Sequence, residues 1–302
     1  MSSNDSQGKV AVITGAGMGF GREFALLAAR RGMRLVLADI QRDALNATLV
    51  DVQELGAEAV TQVVDVADGD QVEALAVTAQ QRYGVVHTVF NNAGVGCGGL
   101  IWENTRRDWE WTLGVNLWGV IHGVRAFVPR MLEAAQADPA YRGHVVNTAS
   151  MAGLINPPLT GVYNASKHAV VSLSETLHHD LALVTQQVRC SVLCPYYVPT
   201  GIHASHRNRP ASRANDRSAT QSQRVAHAMI EKAVTSGKVS AADVARMTFE
   251  AIDEGRFYIV SHPQSLASVQ QRAEDIAALR DPTDPLGARD GLRESLIESL
   301  RR

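Results

Sequence analysis

KVAVITGAGMGFGREFALLAARRG, Lys9 to Gly32, changes its hydrophobic period halfway along. Val10 to Thr14 is a β-branched run of the kind that forms a buried strand, and from Arg22 onward the apolar residues recur at helical spacing. Between the two lies TGAGMGFG, Thr14 to Gly21. Gly15, Gly19 and Gly21 let a backbone turn sharply, approach a pyrophosphate closely and pack helix on strand. The N-terminus of the helix that follows offers amide donors and the positive end of a dipole. A Gly-rich turn alone is a weak signal, but this one has a strand before it and a helix after it. The second strand ends in LADI, which sets Asp39 eighteen residues past Gly21, where an acid accepts the ribose hydroxyls of an adenosine.

Outward from that unit, short β-branched runs alternate with longer amphipathic stretches. Strands are expected at Val10 to Thr14, Arg34 to Ala38, Ala59 to Val64, Thr88 to Asn91, His144 to Thr148, Arg189 to Leu193 and Tyr258 to Val260. Seven strands with crossover helices predict an α/β, doubly wound (Rossmann) parallel sheet with helices on both faces. We divide the chain into one catalytic domain over 8–262 and a C-terminal helical extension over 263–302. The extension reads as a helix, a turn-rich break at DPTDPLGARDG and a terminal helix. Within the domain, 201–237 is polar and weakly periodic, becoming helical only near Val225, and is expected to be a lid over the reacting carbon. Its first half is polar enough that we expect it to be mobile until ligands order it.

The bulk numbers exclude several classes. The chain has 302 residues, 45% hydrophobic, and a formal net charge of -2 with acids and bases interspersed, so it has no basic face for nucleic acid and no polybasic stretch for a membrane. MSSNDSQG at the N-terminus lacks the apolar segment of a secretory signal, which makes the cytoplasm the default. Cys97, Cys190 and Cys194 are odd in number and read as reduced thiols in the core or lining a pocket. The adjacent His178 and His179 would point about a hundred degrees apart on a helix, so no metal site is expected there.

GVYNASKHAV, Gly161 to Val170, puts Tyr163 and Lys167 one helical turn apart on the same face. Oxidising an alcohol by hydride loss needs a base for the hydroxyl proton, and a phenol with a pKa of about 10 is a poor one at neutral pH. An ammonium about 4 Å away is worth on the order of 4 kcal/mol at an effective dielectric of about 20, or about three pKa units. Ser150, thirteen residues before Tyr163 at a strand end, can present its hydroxyl to the same substrate oxygen.

Taken in order, Thr-Gly-xxx-Gly-x-Gly, NNAG (Asn91 to Gly94), GVNLWG around Asn116, NTAS ending in Ser150, and YNASK form a set. That set resembles the short-chain dehydrogenase/reductase family over about residues 8 to 260. The C-terminal extension is similar to that of the branch that oxidises lignin-derived aromatic alcohols. The resemblance implies a catalytic set of Asn116, Ser150, Tyr163 and Lys167, with Asn116 holding a water that links Lys167 to solvent. It also implies an NAD site made by Gly15, Met18, Gly19, Phe20, Gly21, Asp39, Asp65, Val66, Asn92, Gly94, Tyr163, Lys167, Val198 and Thr200. Asp65 and Val66 would meet the adenine, Asn92 the cofactor ribose, Lys167 the nicotinamide ribose, and Val198 and Thr200 the carboxamide. Asp39 repels a 2′-phosphate, and neither Met18 nor Ile40 offers the basic side chain that would welcome one.

Two positions depart from the family pattern: Tyr196 stands where a glycine follows Pro195, and Phe20 where a small aliphatic is usual. The expected reaction joins nicotinamide to a secondary alcohol or ketone that is bulky and largely apolar, as the small and apolar runs VGCGGL and MAGLINPPL leave room for a ring. An epimerase or dehydratase of the same fold, or a non-catalytic dinucleotide-dependent regulator, are the alternatives. The helix carrying ETLHHDLALV is, by resemblance, a subunit contact in a homotetramer or homodimer.

Overall fold

Alternation inside each strand puts apolar side chains on both sides of the sheet. In β1 (Val10–Thr14), Ala11 and Ile13 join Leu35 and Leu37 of β2 (Arg34–Asp39) in one core, while Val10 and Val12 join Val36 in another. The first core is covered by Phe24 of α1 (Gly19–Arg30) and Phe249 of α8 (Ala241–Glu254). The second is covered by Leu75 of α3 (Gly69–Tyr83), Phe127 and Met131 of α5 (Gly119–Ala137), and Leu177 and Leu181 of α6 (Gly161–Val184). Each such side chain, fully buried, contributes roughly 1.5–3 kcal/mol. These facts come from a computed structural model that describes residues 6–287 and 291–301.

The remaining strands are β3 (Ala59–Val63), β4 (Thr88–Asn91), β5 (Gly143–Thr148), β6 (Val188–Cys194) and β7 (Tyr258–Val260). All pair in parallel, in the order β3-β2-β1-β4-β5-β6-β7, and every expected strand is present with bounds within a residue. Chain order reverses between β1 and β4, so a crevice opens outside their C-terminal ends. That edge carries Gly15, Asp39, Asn92, Ser150 and Pro195, each at or just past the end of a strand.

Helix α2 (Arg42–Glu54) follows β2, and α4 (Arg106–Leu113) leads into α5 through five residues wound as a π-helix, Gly114–Trp118. In the segment expected as a lid, short 3-10 turns at Ile202–Asn208 and Ala211–Arg213 precede α7 (Gln221–Thr235). Helix α7 starts four residues before the expected Val225, because Thr220 and Gln223 form a reciprocal capping box. In the extension, α9 (Leu266–Ala277) and α10 (Leu292–Arg301) are the two expected helices, and α10 packs on α7 with Gln221 Nε2 donating to Ser299 O at 3.0 Å. Part of the turn-rich break, 288–290, and the first five residues of MSSNDSQG lie outside the described residues. Among the described residues no helix is long and apolar enough to cross a membrane.

Candidate active site

The Gly-rich turn is held open by its neighbours. Gly15 and Gly19 have φ of 66° and 54°, a region that favours glycine. Asn92 ties the turn down from β4: its Nδ2 donates to Thr14 O at 2.9 Å, and its backbone N–H donates to Thr14 Oγ1 at 2.9 Å. From β2, Asp39 accepts from Gly17 N and Gln41 N, both at 2.8 Å, so its carboxylate is aimed before any ligand arrives. A cavity of about 850 Å³ runs along this edge. Gly15, Met18, Gly19, Phe20, Asp39, Asp65, Val66, Asn92, Gly94, Tyr163, Lys167 and Thr200 all line it. Gly21 lies beneath, buried against Gly15 and Asn92. A long cleft with bare backbone at a helix N-terminus and a fixed carboxylate at the ribose position fits a dinucleotide.

Val198 is buried and lines a second, smaller cavity of about 170 Å³ that Tyr163 also borders. Thr200 lines both cavities. Tyr196 in the glycine's place has its ring tilted about 50° against that of Tyr197, centroids 4.5 Å apart, and its backbone N–H donates to Ser261 Oγ at 3.1 Å, which ties this loop to the end of β7.

Tyr163 and Lys167 rise from α6 as expected, with Lys167 Nζ 5.7 Å from the Tyr163 ring centroid and donating to Thr148 O at 2.8 Å. Packing around the phenol pushes its pKa up to about 12, and a hydrogen bond with Ser150 draws it partly back. Burial lowers Lys167 to about 8. The Lys167 ammonium is engaged by the Thr148 carbonyl, and burial sets the direction of the phenol's shift. Ser150 Oγ donates to Pro195 O at 3.3 Å and accepts from Ala152 N at 3.1 Å, which aims it into the smaller cavity beside Tyr163.

Asn116 sits fully buried in the π-helical turn, a distortion that recurs at functional sites. Its Oδ1 accepts from Val95 N at 2.8 Å, and its Nδ2 donates to Val95 O at 3.0 Å and Ser166 Oγ at 3.1 Å. Both amide donors are used by protein, so the side chain pins the Gly94 loop to α6.

The lid's polarity has a partner that the sequence did not reveal. Arg209 Nη1 donates to Asp108 Oδ1 at 2.6 Å, with its guanidinium 5.1 Å from the Trp111 ring centroid. Asn215 Nδ2 donates to the same oxygen at 3.0 Å, Arg107 pairs with Asp216 at 2.5 Å, and Arg213 pairs with Glu110. Burial works against the Asp108 charge, but these hydrogen bonds hold its carboxyl below the usual range. The lid is thus latched to α4, and Arg207, Asn208, Pro210 and Arg213 roof the larger cavity. Replacing Asp108 by Asn leaves a nearly buried guanidinium without its countercharge, which costs more than the 1.4 kcal/mol that corresponds to a tenfold change. Protease cleavage between His203 and Arg224 is expected to speed up at least about tenfold in Asp108→Asn. Equal cleavage rates in variant and parent would show that this ion pair is not the latch.

His178 packs its ring 4.9 Å from Phe257. Among the described residues no group of three or more His, Cys, Asp or Glu is placed to hold an ion. Cys97, Cys190 and Cys194 are free; burial pushes the Cys97 thiol up to about 11, so it lines the smaller cavity as an inert wall.

The short chain dehydrogenase family model matches residues 9–211. A short chain dehydrogenase/reductase from Burkholderia phymatum, solved in complex with NAD, superposes with a TM-score of 0.91 at 53% identity, covering 95% of this chain and all of its own. The CLA biosynthesis dehydrogenase/reductase of Lactiplantibacillus plantarum is 32% identical over 276 residues, 90% of this chain and 94% of that one. A 1-deoxy-11-beta-hydroxypentalenate dehydrogenase of Streptomyces exfoliatus is 33% identical over 89% of each chain.

Proposed function

This chain belongs to the short-chain dehydrogenase/reductase family, and on that premise we propose that it is an NAD-dependent alcohol dehydrogenase or carbonyl reductase acting on a cyclic secondary alcohol or its ketone. One observation supports this above the others: Tyr163 forms part of the wall between the dinucleotide cleft and the smaller cavity, and lines both. An acid or base in that position serves a reaction in which one partner lies in each cavity.

NAD, when bound, takes or returns the hydride at its nicotinamide ring. The chain's own residues do the rest. Backbone amides at the N-terminus of α1 face the pyrophosphate, and Asp39 accepts from the adenosine ribose hydroxyls. Asp65 and Val66 wall the adenine end. Ser150 Oγ holds the substrate oxygen beside the phenol, and Tyr163 Oη takes or gives the proton. Lys167 would hold the nicotinamide ribose, and its charge beside the phenol would favour the phenolate. We also take α6 to be a subunit face, since Leu183 and Val184 at its end are 83% and 68% exposed.

The test is NAD reduction against a panel of cyclic and benzylic secondary alcohols, run in parallel with NADP. A 2′-phosphate about 4 Å from Asp39 meets a like charge worth several kcal/mol at moderate dielectric. NAD should therefore be preferred by at least about a hundredfold in kcat/KM. Comparable constants for the two cofactors would remove Asp39 from this role, and a panel without any turnover would remove the dehydrogenase reading.

A further inference from the structure

Two lid arginines, Arg207 and Arg213, line the larger cavity. Arg213 is paired with Glu110 and, further along the lid, Arg209 with Asp108, so both are spent on the latch. Arg207 is not. Its Nη1 donates to Ala204 O at 3.1 Å inside its own turn, and its Nη2 reaches Met18 Sδ at 2.6 Å. Among the described residues no carboxylate pairs with it. A thioether is a weak acceptor and does nothing to balance a positive charge. The side chain is exposed on the cleft, so its remaining donors stay open to a ligand.

Met18 is the residue just before α1, a helix whose start has neither a side-chain cap nor an acid in its first turn. Arg207 therefore comes down from the lid onto the same glycine turn whose amides await an anion. Gly201 makes the room: a Cβ there would lie 2.5 Å from Met18 Sδ and 3.1 Å from Arg207 Nη2. Ser205 Oγ accepts from Gly96 N at 2.9 Å, which pins the turn that carries Arg207. The acids that line this cavity are claimed elsewhere. Asp39 is held by the amides of Gly17 and Gln41, Asp65 by Ala67 N, Asp68 by the first amides of α3, and Glu110 by Arg106 and Arg213. What is left is a cation beside a bare helix start, with no protein anion to balance it.

We propose that Arg207 is a cofactor-binding residue: its guanidinium donates to the pyrophosphate of bound NAD from the lid side, and the cofactor thereby holds down the turn Ile202–Asn208. A planar fork of donors matches phosphate oxygens, and the contact is charge-assisted. The turn has a second face. Ile202 and Ser205 line both cavities, and His203 and His206 line the smaller one. The charge on the cofactor thus fixes a wall of the smaller cavity before a substrate enters it. The inference rests on the cleft being the dinucleotide's, and not on which alcohol or ketone is turned over.

Binding decides this without turnover. ADP-ribose, which carries the pyrophosphate but no nicotinamide and no 2′-phosphate, is titrated calorimetrically into the full chain. At about 20 mM salt Arg207→Met should bind it about tenfold more weakly than the parent, the size of one charge-assisted hydrogen bond that stays partly hydrated. At about 500 mM salt the gap should shrink to within about threefold, because an exposed charge is screened. Arg207→Lys keeps the charge without the fork and should recover part of the loss. Saturating ADP-ribose should slow protease cleavage between His203 and Arg224 at least about threefold in the parent, with little effect in Arg207→Met.

Equal affinity of parent and variant, a loss that salt does not change, or protection undiminished in Arg207→Met would each overturn the proposal. NADP separates a 2′-phosphate from the pyrophosphate: if Arg207→Met loses NADP but keeps ADP-ribose, the guanidinium serves the 2′ position and the assignment falls. ADP-ribose that fails to bind the parent removes the dinucleotide cleft itself, and the proposal with it. The dehydrogenase reading is judged separately. Tight, Arg207-dependent binding with no NAD reduction by any alcohol leaves the contact standing and removes only the dehydrogenase.

Discussion

Tyr163→Phe should lower kcat by at least about a thousandfold while NAD binds as before, since removing a positioned acid or base costs about 10²–10⁴ in rate. The substitution deletes one oxygen and leaves the ring. That oxygen meets Ser150, and the helix is anchored independently of it by Val162, Ser166, Val170 and Ser174, all buried. The melting temperature should therefore stay within a few degrees. With the phenol held near 12, few molecules are ionised at neutral pH, so alcohol oxidation by the parent should also rise as the solution is made alkaline. The protonated phenol is the form that serves ketone reduction, which is favoured on the acid side. NAD binding is read by fluorescence titration and turnover by absorbance. A variant that turns over within tenfold of the parent would take Tyr163 out of the chemistry.

Gly21→Ala is expected to be the most damaging single methyl group in the molecule. A Cβ there would lie 2.6 Å from the Gly15 carbonyl carbon and 2.8 Å from Asn92 Nδ2, and closer still to Gly15 O. The obstacle is backbone, which cannot swing aside as a side chain can, and the Asn92 amide is already committed to Thr14 O. Either α1 moves away from β1 or the turn opens, and overpacking of this kind typically costs about 1–3 kcal/mol, occasionally more. At the upper end that lowers the melting temperature by roughly 6–12 °C for a chain of this size. Because the turn is the floor of the dinucleotide cleft, NAD affinity should fall by more than about a hundredfold, about 2.8 kcal/mol. A melting temperature within about 2 °C of the parent's, with unchanged NAD affinity, would show that the turn has slack.

The elements legible in the sequence were those whose signals are local. Val10 to Thr14, the glycines after it and Asp39 lie within one βαβ unit, so the period change, turn chemistry and following acid can be read along one stretch. Tyr163 and Lys167 sit one helical turn apart, and their shared face follows from helix geometry alone. The Thr220 and Gln223 capping box was equally local, though hidden by the polar composition around it.

What could not be read depended on distant partners. Asp108 and Arg209 are 101 residues apart, and neither looks unusual by itself: one is the N3 acid of a capping box, the other a lone cation in a polar run. The loop after β6 is tied down by Tyr196 bonding to Ser261, 65 residues on. Asn116 was found by its motif, but its use of both amide donors on Val95 and Ser166 emerges only when the loop and α6 are brought together.

The contact between α10 and α7 has a bearing on how the protein is made. Everything that builds the dinucleotide cleft, from β1 through Thr200, has left the ribosome well before Leu292 to Arg301 emerges. During synthesis the sheet and the glycine turn can therefore close while α7 has no backing on its outer side. Helix α10, last in the order of elements, can back α7 only after every strand of the sheet has been made.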